Sequence, residues 1–278
     1  MASSKPVFFL IQGAWIGSEV FSPVIHLLWS KGYATWCQEL PHHNRDPAVT
    51  ASTTAEFIRA ELLKLIDNGH DVIPVCWSLG GKLAPPAFEG LWKKERESFG
   101  KSNGIVGMVF ASCPLMEKVG MTSRDSQMVN DPKMMFDGAD PHETFEYQDG
   151  LMTPKLGPDT PFAKSMYASL EGIYPKAHEL FDPTIRPLSL ATQNEPLNYV
   201  PVVKKDPESM EEPGTFHVPV AYFVTEQDRV VSKVIQEKYV NRWKDQWTQV
   251  YRFDTGHMLW VAAPEQVVDS LVDFASRV

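Results

Sequence analysis

The feature that most restricts how this chain can fold is the stretch Val72-Ile73-Pro74-Val75-Cys76-Trp77-Ser78-Leu79-Gly80-Gly81. An apolar run long enough for one buried strand breaks without a linker into small residues, and a helix-like segment follows. The chain must therefore turn sharply from strand to helix with Ser78 at the apex, which is the sequence form of a nucleophile elbow. Small residues let backbone and helix approach closely. The helix start beneath the serine offers N–H groups and a positive dipole end to developing negative charge. Where the usual elbow pattern G-x-S-x-G has its first glycine, this chain has Cys76.

Two further segments complete a chemical pattern. Val218–Thr225 reads as a buried strand followed by Glu226-Gln227-Asp228-Arg229-Val230-Val231, and Trp247–Phe253 alternates like a strand before Asp254-Thr255-Gly256-His257-Met258. Serine, acid and histidine thus follow in chain order, each just past a strand's C-terminal end, the order of the α/β-hydrolase triad. In such a triad the histidine takes the serine's proton and the carboxylate fixes the imidazole tautomer. Asp228 is the expected acid and Val230-Val231 the residues that pack against it; Glu226, and Glu117 past the preceding strand, are the other carboxylates in position.

On these residues the chain resembles the α/β-hydrolases, and within them the plant methylesterase and hydroxynitrile lyase group and its microbial relatives. The likeness covers nearly the whole chain and rests on Val7–Trp15, Trp77–Gly81, Thr225–Asp228 and Gly256–Met258. The family's His-Gly-Ala is Gln12-Gly13-Ala14 here. The resemblance implies Ser78, Asp228 and His257 as triad and the N–H groups of Ala14 and Leu79 as oxyanion hole, with no cofactor and no metal. It also implies that the plant lyases carry a threonine at the position of Gly13 and a lysine at that of Met258. A thioether cannot hold a departing cyanide, so cyanohydrin cleavage is disfavoured. The dehalogenase branch needs a carboxylate nucleophile, which Ser78 excludes.

Strand-like and helix-like segments alternate through the first part of the chain. Val7–Gln12, Tyr33–Glu39, Asp71–Cys76 and Ile105–Ser112 read as strands. Ser18–Ser30 and a segment through Ile66, capped by Thr53 with Glu56, read as helices. This predicts a mostly parallel sheet of about six strands flanked by helices, with sites at the strands' C-terminal ends. Residues 1–113 and 218–278 are the expected core. From Pro114 to His217 the rhythm breaks into a segment rich in proline, methionine and acidic residues, expected as a mostly helical cap over Ser78. Its methionines (Met116, Met121, Met128, Met134, Met135, Met152 and Met166) suggest an adaptable apolar lining, and Met135 and Phe162 are expected to govern substrate choice more than stability. Asp206–Glu212 reads as an exposed linker in it.

The 278 residues, 43% of them hydrophobic, suffice for one large α/β core with a lid. A net charge of −9 with no basic patch disfavours a nucleic-acid partner. Three cysteines without regular spacing, Cys37, Cys76 and Cys113, read as buried free thiols. No apolar run reaches a bilayer span of about 20 residues, and no signal peptide is visible, so a cytoplasmic protein is expected, with a homodimer as an open arrangement. His42 and His43 read as a solvated loop and not as metal ligands, because adjacent side chains on an extended loop diverge.

The functional expectation is a serine hydrolase cleaving a small-molecule ester, lactone or thioester through an acyl-enzyme. Two alternatives stay open. One is a biosynthetic enzyme performing acyl transfer, lactonisation or carbon–carbon cleavage on a polyketide-like substrate, which the eight tryptophans would suit. The other is a small-molecule receptor that retains the triad.

Overall fold

A computed structural model describes residues 5–122, 136–204 and 213–278. Eleven strands occur among them: β1 Val7–Ile11, β2 Thr35–Trp36, β3 Val72–Trp77, β4 Met108–Ala111, β5 Phe145–Gln148, β6 Leu151–Pro154, β7 Leu188–Ser189, β8 Val202–Val203, β9 Thr215–Phe216, β10 Val220–Thr225 and β11 Trp247–Phe253. Six form the main sheet in the order β11-β10-β4-β3-β1-β2, with every neighbouring pair parallel. Every residue of β1, β3, β4 and β10 is buried, as expected where helices cover both faces of a parallel sheet. At the edge, β11 buries only Phe253 fully.

Parallel pairing places all the strand ends on one edge. Residues following β1, β3, β10 and β11 therefore share one rim of the sheet, and β4 separates β3 from β10. This shared rim is what lets loops far apart in sequence build a single site.

The predicted elements occur with shifted bounds. Ser18–Phe21 is a 3-10 turn, and the α-helix begins at Ser22 with a proline in its first turn, where a missing N–H costs nothing. The strand expected over Tyr33–Glu39 pairs only at Thr35–Trp36. The second helix, Ala51–Asp67, is capped by Thr50 and not by Thr53 with Glu56. Thr50 Oγ1 accepts from Thr53 N at 3.2 Å, and Thr53 Oγ1 accepts from Thr50 N. The strand expected from Ile105 starts at Met108, with Ile105 making only isolated bridges to Val72 and Trp92.

The segment expected to be mostly helical contains substantial β structure. Strands β5, β6 and β7 form an antiparallel sheet and β8–β9 a ribbon, joined by short helices such as Pro161–Met166. Asp149 (φ +51°) and Gly150 (φ +78°) link β5 to β6. That is the positive-φ pair of a two-residue hairpin whose twist matches its strands.

This segment contacts the rim at several places. Trp15, just past β1, packs against Phe136, Phe145 and Phe162 with ring centroids 4.9–5.9 Å away. Arg186 N donates to Trp15 O at 2.7 Å. Ser189 Oγ and Thr192 Oγ1 donate to Pro47 O and Val49 O. Met116, Met121, Met152 and Met166 are buried within the packing, so they fill core space; Met128, Met134, Met135 and Asp206–Glu212 lie outside the described residues. Phe162 is fully buried among Trp15, Phe136 and Tyr167, so it packs within this segment, and its substitution is expected to cost stability as well.

Candidate active site

Three strand ends converge on one hydrogen-bonded chain. Ser78 follows β3 at φ +53°, a left-handed backbone that costs a non-glycine residue energy and persists only when its surroundings enforce it. Here Ser78 N donates to Ala111 O at 3.0 Å, and Ser78 O accepts from Gly81 N at 3.0 Å. Two close approaches hold the turn from either side. A Cβ on Gly13 would lie 2.7 Å from Ser78 Cβ, and one on Gly80 would lie 2.6 Å from Gln12 O. Both positions must therefore remain glycine for the elbow to pack against the loop after β1.

His257 Nε2 lies 2.9 Å from Ser78 Oγ, and His257 Nδ1 donates to Asp228 Oδ2 at 2.8 Å. Both His257 and Asp228 are buried, and Trp77 Nε1 donates to the carbonyl of His257 at 3.2 Å. The order of contacts, hydroxyl to imidazole to carboxylate, is that of a nucleophile, a base and the group that orients the base.

Asp228 is held at both oxygens. Oδ1 accepts from Val230 N (2.8 Å) and Val231 N (2.9 Å), so those residues grip the carboxylate through their backbone as well as packing beside it. Oδ2 accepts from Thr225 Oγ1 (2.8 Å) and Gln236 Nε2 (3.2 Å) in addition to His257. Thr225 is fixed in turn by Ser112 Oγ at 2.8 Å, and Gln236 donates to Val231 O at 2.7 Å. Donors on every side replace the water that a buried carboxylate has lost, with no neighbouring cation needed.

The other two carboxylates are committed elsewhere. Glu226 faces Lys233 (3.2 Å) and Arg252 (3.6 Å) at the surface. Glu117 is buried in an ion pair with Arg242 at 2.8 Å. Neither approaches His257.

Cys76 lies in β3, fully buried, opposite Ile11 and Phe110. Burial pushes its thiol far above the usual range, as it does for Cys113. Cys37 is half-buried, not buried as expected, and burial together with Glu39 pushes it up to about 12. None of these is an activated thiolate.

The loop after β1 is supported by residues that sequence reasoning placed in solvent. His42 and His43 are 1% and 2% exposed, on the 3-10 turn Pro41–His43. Their Nε2 atoms lie 3.2 and 3.1 Å from the carbonyl oxygen of Gly13. His43 Nδ1 lies 2.6 Å from Glu39 Oε1, and Glu39 Oε2 accepts from Ser18 N. The tight turn overturns the divergence expected of an extended loop, because it folds both rings to one side. Gln12 is fully buried and donates to Gln38 O at 2.6 Å. Thr225, Gln236, His42 and His43 were thus missed as site residues; only the Pro-His-His turn carried any local signal.

A profile described as the alpha/beta hydrolase family matches residues 8–270. Among curated proteins the chain is similar to one from Phoma sp. named "Probable hydrolase R7", 23% identical over 98% of this chain and 99% of that one. Among solved structures it is similar to polyneuridine aldehyde esterase, with a TM-score of 0.69 at 20% identity over 98% of this chain and 99% of that one. It is also similar to a pyrethroid hydrolase from Sphingobium faniae, with a TM-score of 0.67 at 16% identity over 98% and 97%.

Proposed function

Since this chain belongs to the alpha/beta hydrolase family, we propose that it is a serine hydrolase that cleaves a carboxylic ester, lactone or thioester through an acyl-enzyme. The observation that carries this reading is the buried chain Ser78 Oγ–His257–Asp228, with links of 2.9 and 2.8 Å. Asp228 holds the proton on Nδ1 of His257, which leaves Nε2 free to take the Ser78 proton. Ser78 Oγ attacks the carbonyl carbon, and the oxyanion that forms is bound by Ala14 N–H and Leu79 N–H. Collapse of the tetrahedral intermediate expels the alcohol or thiol, which receives the proton from His257. Water then attacks the acyl carbon as His257 takes its proton, and the second tetrahedral intermediate breaks its bond to Ser78 Oγ, which recovers the proton from His257 as the acid leaves. The names of the structurally similar esterase and pyrethroid hydrolase support the ester class.

The segment 114–217 serves in this reading as the cap that selects the acyl or leaving group. Support comes from its contacts with the loops after β1, β2 and β11, including Ser169 beside Gly256. A fluorophosphonate probe tests the assignment. It labels Ser78 alone, and Ser78→Ala abolishes both labelling and turnover of short-chain aryl esters while the thermal melt is retained. Labelling that survives the substitution places the nucleophile elsewhere. Ligand binding without any turnover in the wild type points instead to a receptor.

A further inference from the structure

The carbonyl of Gly13 and the N–H of Ala14 belong to one peptide group. On its oxygen side this group meets two imidazoles, His42 Nε2 at 3.2 Å and His43 Nε2 at 3.1 Å, stacked edge to face with ring centroids 4.1 Å apart. A carbonyl oxygen only accepts, so both nitrogens carry hydrogen and donate. His43 has a second partner that also only accepts, the carboxylate of Glu39 at 2.6 Å from Nδ1. Both contacts are made at once only if the Glu39–His43 pair holds one proton more than a carboxylate beside a neutral imidazole. With Glu39 as a carboxylate, the extra proton falls to the buried His43 ring, and Glu39 itself is partly exposed behind the loop.

Resting on the serine-hydrolase reading above, we propose that Glu39, His43 and His42 are positioning residues for the oxyanion hole. They act through the Gly13–Ala14 peptide: donors on its oxygen draw electron density from the amide and strengthen Ala14 N–H as a donor to the substrate oxyanion. Hydrogen bonds in series polarise one another in this way. The chain runs from Glu39 carboxylate to His43, to Gly13 carbonyl, to Ala14 N–H, and no part of it before that last N–H touches the substrate. The surroundings fit. Against the opposing effect of burial, His43 and Ser18 N hold the Glu39 carboxyl below its ordinary value, with Arg186 adding to them. Burial and the charge on His43 hold His42 far below the usual histidine range, so it stays neutral and donates only through Nε2.

Glu39→Gln separates charge from architecture. The introduced amide can donate to His43 Nδ1 while its carbonyl accepts from Ser18 N, and neutral His43 still donates from Nε2 to Gly13. Every hydrogen bond survives and only the charge is lost. Removing a whole oxyanion donor costs roughly 10²–10³-fold in kcat, and in-series strengthening is roughly 10–30% per bond, so Glu39→Gln should lower kcat about 1.6- to 8-fold with KM changed proportionately less. A second readout needs no turnover. Labelling with ¹³C-glycine and ¹⁵N-alanine isolates the two Gly–Ala pairs of the chain, Gly13–Ala14 and Gly138–Ala139. The Ala14 amide proton should move upfield in Glu39→Gln while that of Ala139 stays in place. An unmoved Ala14 resonance overturns the proposal whatever the rate does, and a shifted resonance with unchanged kcat overturns its bearing on catalysis. If the wild type turns over no ester at all, the serine-hydrolase reading fails, and the resonance still decides whether the brace is charged.

Discussion

Asp228→Asn is the substitution whose outcome the hydrogen-bond geometry determines most completely. The native Oδ1 faces two backbone donors, Val230 N and Val231 N, while Oδ2 faces Thr225, Gln236 and His257. An asparagine turned with its NH₂ toward the backbone would bury three donor groups against each other without an acceptor, at about 1–3 kcal/mol for each group left unpaired. It therefore places its oxygen toward Val230 and Val231, and its NH₂ toward His257. His257 Nδ1 must then accept, the ring proton moves to Nε2, and Nε2–H donates to Ser78 Oγ. The base has become a donor to the hydroxyl it should deprotonate.

The expected loss is on the order of 10⁴-fold in kcat, the size seen when a serine protease triad is given the wrong tautomer. That corresponds to about 5.4 kcal/mol of transition-state stabilisation at 1.36 kcal/mol per tenfold. Stability should fall by only about 1–3 kcal/mol, because the one new conflict is between the introduced NH₂ and Gln236 Nε2. The assay pairs steady-state hydrolysis of a p-nitrophenyl ester with a urea melt of the same sample. Glu226→Gln is the control: its carboxylate lies at the surface between Lys233 and Arg252, where ion pairs contribute little, so turnover should stay within about twofold. An Asp228→Asn enzyme that keeps more than about a tenth of wild-type kcat, or a Glu226→Gln enzyme that loses more, would refute the assignment of the acid.

Three other outcomes are expected. Gly13→Ala places a Cβ 2.7 Å from Ser78 Cβ, so the elbow must shift; acylation, followed by the rate of fluorophosphonate labelling, should slow about 10²-fold while the melt moves much less. Phe162→Ala empties a fully buried site in an aromatic cluster and should cost about 3–5 kcal/mol in a urea melt, so retained stability would show that the cluster collapses around it. Cys76, buried and with its thiol pushed far above the usual range, should remain unmodified by iodoacetamide in the native protein, as read by mass spectrometry; rapid alkylation with loss of activity would reopen a thiol mechanism.

How far the sequence carried the argument depended on whether a feature was made within one segment or between segments. The elbow was legible because its signals are contiguous: six buried residues of β3, then Ser78, then two glycines that sit against the loop after β1 and against Cys113. The order of Ser78, Asp228 and His257 was legible for the same reason, each lying directly past its own strand. The choice of acid was only partly so. Glu226 and Asp228 differ by two positions, and what separates them is a ring of donors from Thr225, Val230, Val231 and Gln236, the last of which comes from the helix Lys233–Arg242. Among charged helix residues a single buried glutamine has no sequence signature.

Local signals can also be present and overridden. Asp149-Gly150 is a strong hairpin signal, and it folds as one, yet the irregular proline-rich composition around it favoured helices and loops. The histidine pair shows the opposite failure. Reasoning that adjacent side chains diverge is sound for an extended chain, but Pro41 starts a 3-10 turn, and the turn brings both rings to one carbonyl 29 and 30 residues earlier in sequence. Burial of those rings could not be read from residues that look polar and lie between strands. The hydrogen-bonded Ser78, His257 and Asp228 come from strand ends and are visible in order along the chain; the support for the loop after β1 comes from contact between two loops, and only packing reveals it. Family-level pattern therefore points to Ser78, whereas the contacts set behind the loop after β1, from Glu39, His42 and His43, come into view only when the chain is folded.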